Sequence, residues 1–380
     1  MAPSLAPVLS ALLALTGNAF GQKYTLAQTI NAENFFEEFI FNTTGTITSQ
    51  PDDNWAWVQF QNLNDARTNE LARVRNDEVY LGVDHRTELD PNQDEGRRSL
   101  RLVSRNTYKH GLLITRFSHF PAAVCGGWPS YWLLGEGPWP NAGEMDLYEG
   151  WNLAVANKPA FHVGEEKVLG TCKMHPTFQK ANVISDNCDN TYADQVTQWP
   201  FQGCQSEEPN GIWASDKGGT PEALEWTSEY IKLFSWKRGE EPANIDDDQP
   251  DVKSWGAPSV NVDDCDIDRH FAAQRIIFTL PFCGDPVGTP LFWSELDGGS
   301  GITCDKHTGK KTCIEHVASN PKAFKDFYFQ VQDIRYFNST QPSIDPASPT
   351  VTPARSSTAG SRNNMIINAA PDEYSGKKFV

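Results

Sequence analysis

The sequence predicts an all-β fold, a two-sheet antiparallel β-sandwich of the jelly-roll kind. Many short segments rich in β-branched and aromatic residues are separated by clusters of Gly, Pro, Asn and Asp, which is typical of strands joined by turns. Long helical periodicity is absent, and we expect one short helix near residues 321–326. This pattern favours two stacked antiparallel sheets over a helical bundle or a parallel α/β sheet.

Five segments carry the strand prediction. Val79, Leu81 and Val83 occupy alternate positions, as expected for a strand with one buried face. The other segments are apolar and aromatic runs at 111–117, 222–235, 275–280 and 327–337. All-β domains often exceed about 200 residues and no internal repeat is visible, so residues 22–340 are interpreted as one domain.

Both ends of the chain are predicted to lie outside this domain. Residues 1–21 are interpreted as a signal peptide, with an apolar stretch, too short to cross a bilayer, before a small-residue end and no Lys or Arg at the start. Residues 341–380 are dominated by Ser, Thr, Pro and Ala, so we expect a disordered tail. Sequons at Asn42 and Asn338 agree with export. The sequence therefore predicts a secreted protein, either extracellular or associated with a cell wall.

The cysteines support the same compartment. Eight follow the predicted signal peptide, an even number that indicates disulfides in an exported chain, although their pairing cannot be deduced. A zinc site is the alternative, because Cys-x-x-His occurs at Cys172, Cys304 and Cys313. We predict no metal and no other cofactor, since the acidic run at 263–268 lacks the glycine and the later glutamate of an EF-hand loop.

Charge and aromatic content restrict the partners. The formal net charge is −17, and an acidic surface repels phosphate backbones and anionic lipids, so we expect neither nucleic acid nor membrane as a partner. The 12 Trp and 21 Phe residues indicate a large core, but flat aromatic rings also stack on the C–H faces of sugars. A neutral polymer is the more compatible partner, bound by a chain that we expect to be a monomer.

The segment 125–152 contains three closely spaced acids, Glu144, Asp146 and Glu149. In a regular strand Glu149 would face away from the other two, but a β-bulge between Asp146 and Glu149 would return it to their face. Two carboxyl groups about 5–5.5 Å apart are what a retaining glycosidase requires. The alternative is a solvated edge strand with three surface acids, but the apolar residues between the acids favour a buried sheet.

This segment resembles the signature of glycoside hydrolase family 16, in its fungal laminarinase-like branch of endo-1,3(4)-β-glucanases. Residues 143–152, GEMDLYEGWN, fit the bulged motif throughout. Family landmarks are also visible, in order, at 80–85, 125–129, 225–227, 282–285 and 320–324. The resemblance implies a jelly roll with a substrate cleft on its concave face. It also implies endo-acting, retaining hydrolysis of β-1,3-glucan, with mixed-linkage β-1,3/1,4-glucan or another wall polysaccharide as open alternatives.

The resemblance also implies roles for single residues. Glu144 is expected to be the nucleophile, Glu149 the general acid/base and Asp146 an assisting carboxylate. Trp132 and Trp139 match aromatics that bind sugar near the cleavage point, on the non-reducing side.

Other matches are less specific. His162 matches a histidine that approaches the acid/base, with a structural histidine as the alternative. Arg97 and Arg101, expected on one face of a strand, are predicted either to reach glucan hydroxyls or to be surface cations. Pro286 stands where relatives often carry a tryptophan that stacks on the leaving-group side, and Trp293 is a candidate replacement.

Tyr148 and Trp151 are bulkier than the aliphatic residues expected in the motif. Two further functions stay open. A cell-wall transglycosylase would use the same retaining pair, with a sugar hydroxyl in place of water. A non-catalytic β-glucan-binding protein would use the same sandwich, but such proteins usually lose the glutamates, and both are present here.

Overall fold

The computed structural model describes residues 23–44, 52–194, 196–208 and 221–340. The signal peptide predicted at 1–21 and the tail predicted at 341–380 lie outside these residues. Strands dominate the described part of the chain, and its helices are short.

Nineteen strands are assigned among the described residues. They are β1 (Lys23–Asn31), β2 (Phe39–Phe41), β3 (Val58–Phe60), β4 (Ala72–Arg75), β5 (Glu78–Leu81), β6 (Arg97–Ser99), β7 (Arg101–Ser104), β8 (Gly111–His119), β9 (Ser130–Gly135), β10 (Glu144–Glu149), β11 (Ala160–His162), β12 (Cys172–Met174), β13 (Asn182–Ser185), β14 (Cys204–Glu207), β15 (Pro221–Trp226), β16 (Ile231–Ser235), β17 (Val260–Cys265), β18 (Gln274–Thr279) and β19 (Phe329–Thr340).

The α-helices connect strands. They are α1 (Phe35–Glu38), α2 (Leu63–Thr68), α3 (Glu166–Leu169), α4 (Ile267–His270), α5 (Pro290–Ser294), α6 (Cys304–Thr308) and α7 (Cys313–Ser319), with 3₁₀ turns at Asp52–Trp55, Val252–Trp255 and Pro321–Phe324. The helix expected near 321–326 is the last of these 3₁₀ turns. No helix among the described residues combines the length and the apolar character needed to span a bilayer.

The strands form two large antiparallel sheets. The nine-stranded sheet has the order β12-β17-β16-β15-β8-β19-β5-β4, with β1 also paired to β19. The eight-stranded sheet has the order β13-β14-β11-β10-β9-β18-β7-β2. A separate two-stranded sheet joins β3 and β6 in parallel. The predicted all-β, two-sheet architecture is therefore confirmed.

Aromatic side chains fill the space between the two large sheets. Phe117 of β8 contacts Tyr131 of β9, with ring centroids 5.3 Å apart. Phe329 of β19 contacts both Phe278 and Tyr148, which belong to the eight-stranded sheet. Burying one such side chain contributes about 1.5–3 kcal/mol. The bulky Tyr148 of the acid-bearing motif is therefore a core residue.

The nine-stranded sheet is also covered on its other face. Residues 236–255 lie over it, where Trp236 and Trp255 pack on Phe234 of β16. Several tryptophans therefore belong either to the core between the two sheets or to this second core on the nine-stranded sheet.

Four disulfides use all eight cysteines: Cys125–Cys304, Cys172–Cys265, Cys188–Cys204 and Cys283–Cys313. The predicted disulfides are present, and the zinc alternative is wrong, because every cysteine that would ligate the metal is bonded to another cysteine.

The expectation for Arg97 is also wrong. Arg97 lies in β6 and Arg101 in β7, so they do not share a strand. The Arg97 side chain is fully buried and donates five hydrogen bonds, all to backbone carbonyls, of Asp84, Thr87, Val317 and Ala318. It therefore reaches neither sugar nor solvent, and it ties the 84–87 segment to the end of α7.

Candidate active site

The three predicted acids lie on β10, in the interior of the eight-stranded sheet between β9 and β11. The edge-strand alternative is therefore wrong. Met145, Leu147 and Tyr148 point away from the acids and are at most 5% exposed, so one side of β10 packs on the core. The other side carries the carboxyl groups.

A bulge in β10 aligns the acids. Glu144 is paired with Leu134 of β9 and Asp146 with Trp132, but Glu149 is paired with Ser130, because the register shifts between Asp146 and Tyr148. Ser130, Trp132 and Leu134 alternate along β9 and share one face, so their partners share that face too. The predicted bulge is confirmed, and the row spans four residue steps on β9, about 13 Å, with Asp146 in its middle.

Asn157 holds the bulge. Its side-chain oxygen accepts a hydrogen bond of 2.9 Å from the backbone N–H of Glu149, and its amide group donates one of 2.8 Å to the carbonyl of Leu147. A bulge leaves backbone groups without a strand partner, and a buried amide that satisfies both of them fixes its geometry. Sequence reasoning missed Asn157, because its side-chain contacts depend on how the 150–159 connection folds back.

Each glutamate accepts a hydrogen bond from an indole N–H. The Nε1 of Trp139 lies 2.6 Å from Glu144 Oε2, and the Nε1 of Trp128 lies 2.8 Å from Glu149 Oε1. Trp139 was predicted to stack on sugar, and its indole N–H is placed to orient Glu144 as well. These bonds fix the rotamers of both carboxyl groups and favour their charged forms.

The pKa values of all three acids are raised, chiefly by burial. For Glu144 the next cause is the nearby Asp146 carboxyl group, and the Trp139 hydrogen bond opposes the rise. Burial also raises the pKa of Asp146, and it raises that of Glu149 against the lowering effect of Trp128. Crowded, desolvated carboxyl groups therefore retain a proton at pH values where free ones would lose it.

The Glu144 and Asp146 carboxyl groups interact: after burial, the charge of Asp146 is the next cause that raises the pKa of Glu144, to about 8, whereas Glu144 helps to lower the pKa of Asp146, which burial raises to about 6. Once Glu144 loses its proton, its carboxylate accepts the hydrogen bond from Trp139. In that arrangement Glu144 has a free lone pair and a fixed direction, which are the properties of a nucleophile.

His162 lies on β11, where its Cα is paired with that of Glu144. Its Nε2 is 3.2 Å from Asp146 Oδ2 and its Nδ1 is 2.8 Å from Asn190 Oδ1. Although burial opposes it, the hydrogen bond with Asp146 and the surrounding carboxyl groups raise the pKa of His162 to about 9. The direct contact of the imidazole is thus with Asp146, whereas the resemblance implied an approach to Glu149.

The acids and the imidazole also have the composition of a metal site. Ligand atoms of Glu144, Asp146 and His162 all lie within 4.8 Å of one another. Both ring nitrogens of His162 face oxygen atoms, Oδ2 of Asp146 and Oδ1 of Asn190, which suits a protonated ring that donates two hydrogen bonds.

Trp132 lies beside the acids on β9. It is half-buried, and its Nε1 donates a hydrogen bond of 2.8 Å to Thr279 Oγ1 of β18. The Arg101 guanidinium carbon lies 5.1 Å from the centre of its ring. Arg101 is thus close to the acids and is buried, so it is not a surface cation, and its charge also lowers the pKa of Glu144.

Trp293 was a candidate to replace the tryptophan that relatives often carry at the position of Pro286, and this expectation is wrong. Trp293 is 1% exposed, and its Nε1 donates a hydrogen bond of 3.1 Å to the carbonyl of Lys310. Its ring is part of the core and cannot meet a sugar.

Sequence and structure comparisons identify the family of this chain. Residues 46–337 match the model of the XgeA-like, catalytic GH16 domain. The chain belongs to glycoside hydrolase family 16. A probable endo-1,3(4)-β-glucanase of Aspergillus niger is 32% identical over 86% of this chain and 42% of its own length.

Solved structures of family 16 proteins share the fold. An elongating family 16 β-1,3-glucosyltransferase has a TM-score of 0.71 and 30% identity, over 83% of this chain and all of its own. Laminarinase 16A of Phanerochaete chrysosporium, solved with β-glucans in donor and acceptor sites, has a TM-score of 0.71 and 28% identity over the same shares. The chain spans about half the length of the first curated relatives that it matches.

Proposed function

We propose that this protein is a secreted endo-β-glucanase that hydrolyses β-1,3-linked glucan with retention of configuration, with mixed β-1,3/1,4-glucan as a second substrate. The observation that carries the proposal is the bulged row of Glu144, Asp146 and Glu149, with one indole hydrogen bond to each glutamate. The glucan substrate is supported by the names of the curated relatives.

In the first step, the Glu144 carboxylate attacks the anomeric carbon of the sugar on the non-reducing side of the scissile bond. Glu149 donates its proton to the glycosidic oxygen, so the leaving chain departs as an alcohol and a glycosyl ester of Glu144 remains. Burial raises the pKa of Glu149, which favours the protonated form that this step requires.

In the second step, Glu149 removes a proton from water, and the resulting hydroxide attacks the anomeric carbon. The ester bond breaks, Glu144 recovers its carboxylate, and two inversions give net retention. Asp146 acts through Glu144: when Asp146 carries a proton, it donates a hydrogen bond that stabilises the leaving carboxylate and fixes its rotamer. Neither of the two steps requires a cofactor.

Azide products test the two roles. Glu144→Ala and Glu149→Ala should each lower the hydrolysis of laminarin by at least about 100-fold. With an activated aryl glucoside, azide should restore turnover of Glu144→Ala and give the α-glycosyl azide, since only one inversion then occurs. Azide with Glu149→Ala should give the β-glycosyl azide, formed from the ester intermediate.

Glu136→Gln is the matched control, because Glu136 is a half-exposed glutamate paired with Arg275 outside the acid row. It should keep normal turnover. Normal turnover of either alanine variant, or the opposite azide anomers, would overturn the assignment.

A transglycosylase remains the second candidate, and the observation that favours it is the similarity to an elongating β-1,3-glucosyltransferase. The ester of Glu144 can pass to a sugar hydroxyl as well as to water. Product analysis at high acceptor concentration measures the ratio of the two reactions.

Secretion, a monomeric state and the absence of nucleic-acid and membrane partners belong to the same proposal. The four disulfides support secretion, and the charge of −17 argues against nucleic acid and anionic membranes as partners. Gel filtration of the protein purified from culture medium, and N-terminal sequencing for cleavage after Gly21, test them.

A further inference from the structure

An exposed aromatic loop lies between Cys188 and Cys204. We use the name aromatic loop for residues 190–203, of which residue 195 is not described. Large apolar side chains in it are exposed to solvent: Tyr192 by 40%, Trp199 by 64% and Phe201 by 53%. Three large exposed aromatic rings within one short loop are a candidate binding surface.

The aromatic loop is held in a defined conformation. The Cys188–Cys204 disulfide joins its two ends. Asp194 accepts hydrogen bonds from three successive backbone N–H groups at 196–198, and the buried Gln198 side chain donates to the carbonyls of Asn187 and Gly203. A loop built in this way presents its side chains in fixed positions, which lowers the entropic cost of binding.

Phe201 has an unfavourable backbone conformation. Its φ is +67°, in the left-handed region that bulky residues seldom adopt, and its N–H donates to the carbonyl of Asn190 at 3.1 Å. Such conformations cost about 1–3 kcal/mol and persist where the surrounding structure enforces them, often at ligand sites. A glycine would fit here without this cost, but the position carries an exposed aromatic ring.

The loop lies at one end of a row of side chains that passes through the acids. Strand pairing places Gln205 opposite Ala160, Ala160 opposite Asp146 and Asp146 opposite Trp132. Directly paired residues share a face of the sheet, so this row runs across the strands on the acid-bearing face. Trp132 occupies one side of Asp146, and Gln205 occupies the other.

Hydrogen bonds connect the aromatic loop to this second side. Gln202 Nε2 donates to Gln205 Oε1 at 3.3 Å, and Gln202 Oε1 accepts from the backbone N–H of Trp199 at 2.9 Å. Asn190, at the start of the loop, contacts His162, which contacts Asp146. The loop is thus continuous with the acid row.

We propose that Trp199 and Phe201 form a sugar-binding subsite on the leaving-group side of the cleavage point, which binds the departing or accepting end of a β-glucan. This rests on the proposed function, in which Trp132 and Trp139 bind the other side. It would also supply the stacking surface that neither Pro286 nor the buried Trp293 provides.

The chemistry of the loop fits a neutral sugar chain. Glucose rings present apolar C–H faces that stack on indole and phenyl rings, while their hydroxyl groups bond to amides such as those of Gln202 and Gln205. The described loop residues include one acid, Asp194, whose oxygens already accept hydrogen bonds from the backbone, and no Lys or Arg.

Substrates of different length distinguish a defect in this subsite from a defect in the catalytic step. For Trp199→Ala and Phe201→Ala, we expect kcat/KM for laminarihexaose to fall about tenfold, which corresponds to about 1.4 kcal/mol. With an aryl laminaribioside, whose leaving group is a single ring, we expect less than a twofold change. Transfer to added laminaritriose should fall together with hexaose cleavage, and Trp199→Phe should restore most of both.

Controls come from exposed residues of similar kind. Val196→Ala changes the same loop at a side chain that is 85% exposed, and Phe178→Ala removes an exposed phenyl ring that lies outside it. Both should behave as wild type, and thermal unfolding should show that every variant folds. Equal losses on both substrates, or unchanged hexaose cleavage in both loop variants, would overturn the proposal.

A binding measurement keeps the test independent of turnover. In the Glu144→Gln background, calorimetric titration with laminarihexaose should give a Kd about tenfold weaker when Trp199→Ala is added. Wild-type protein that binds laminarihexaose through Trp199 but cleaves no glucan would refute the proposed function and support the subsite. An active wild-type protein, together with unchanged binding and cleavage in both loop variants, would support the proposed function and refute the subsite.

Discussion

The imidazole Nε2 of His162 lies 3.2 Å from Oδ2 of Asp146, at the centre of the acid row. This contact places a cation where three carboxyl groups would otherwise repel one another. Its charge lowers the pKa of Glu144 and of Glu149, and its hydrogen bond lowers that of Asp146. The histidine therefore helps Glu144, the proposed nucleophile, to ionise.

His162→Gln should make activity more sensitive to acid. Without the imidazolium the pKa of the Glu144–Asp146 pair rises, so a higher pH is needed to ionise the nucleophile, and the acid limb of kcat/KM moves to higher pH. We expect a loss of about tenfold at pH 5 and a smaller loss at pH 7. The exposed His307→Gln is the control. An acid limb that stays in place would show that the contact is only structural.

Removal of the two indole hydrogen bonds should shift opposite limbs of the pH profile of kcat/KM. Trp128→Phe removes the donor to Glu149, so its pKa rises and the basic limb moves to higher pH. Trp139→Phe removes the donor to Glu144, so the acid limb moves to higher pH instead. Each ring keeps a similar apolar surface, so the loss at the best pH should be about three- to tenfold.

These two variants are each other's controls. Profiles of kcat/KM from pH 4 to 9 on an aryl laminaribioside measure both limbs. Movement of the same limb in both variants would contradict the assignment of Glu144 as nucleophile and Glu149 as acid/base.

The acid row could be predicted from sequence because strand alternation is local. Three acids at 144, 146 and 149 share a face only with one bulge, and that bulge is present. The residue that holds the bulge, Asn157, could not be predicted, because an asparagine in a connection carries no sign of what it will contact. The same holds for Asn190 behind His162.

Arg97 and Trp293 show where residue type misleads. Both are polar or amphipathic groups that sequence reasoning placed at the site, and both are buried with hydrogen bonds to backbone carbonyls. For Arg97 two of these carbonyls belong to Val317 and Ala318, 220 and 221 positions away, and for Trp293 the carbonyl lies 17 positions away, so the contacts depend on the tertiary fold. Helix α7, in contrast, carried a local signal that was overlooked: Thr312 and Glu315 form a capping box at its start.

A buried acid outside the site should limit stability at high pH. Glu222 of β15 is 1% exposed, and no hydrogen-bond partner for either carboxyl oxygen is found among the described residues. Burial raises the pKa of Glu222 well above its usual value, and the nearby Glu208 carboxyl raises it further; Tyr131 and Tyr148 are its other titratable neighbours. The folded protein therefore holds a proton that the unfolded chain releases.

The sign of the pH effect follows from proton counts. Below the unfolded pKa of about 4.3 both states are protonated, and Glu222 adds no pH dependence. Above it the folded state binds more protons than the unfolded state, so stability falls as the pH rises toward the folded pKa. Glu222→Gln removes this loss, and the variant should be about 1–3 kcal/mol more stable than wild type at pH 8 and nearly equal at pH 4.

Denaturant unfolding with the disulfides intact, at pH 4 and pH 8, measures this difference. Glu229→Gln is the matched control, because Glu229 is an exposed glutamate in the turn between β15 and β16. Its stability should follow wild type at both pH values. A Glu222→Gln variant that is less stable than wild type at pH 8 would contradict this prediction. It would mean that the Glu222 carboxyl group is charged in the folded protein and stabilised there by a partner.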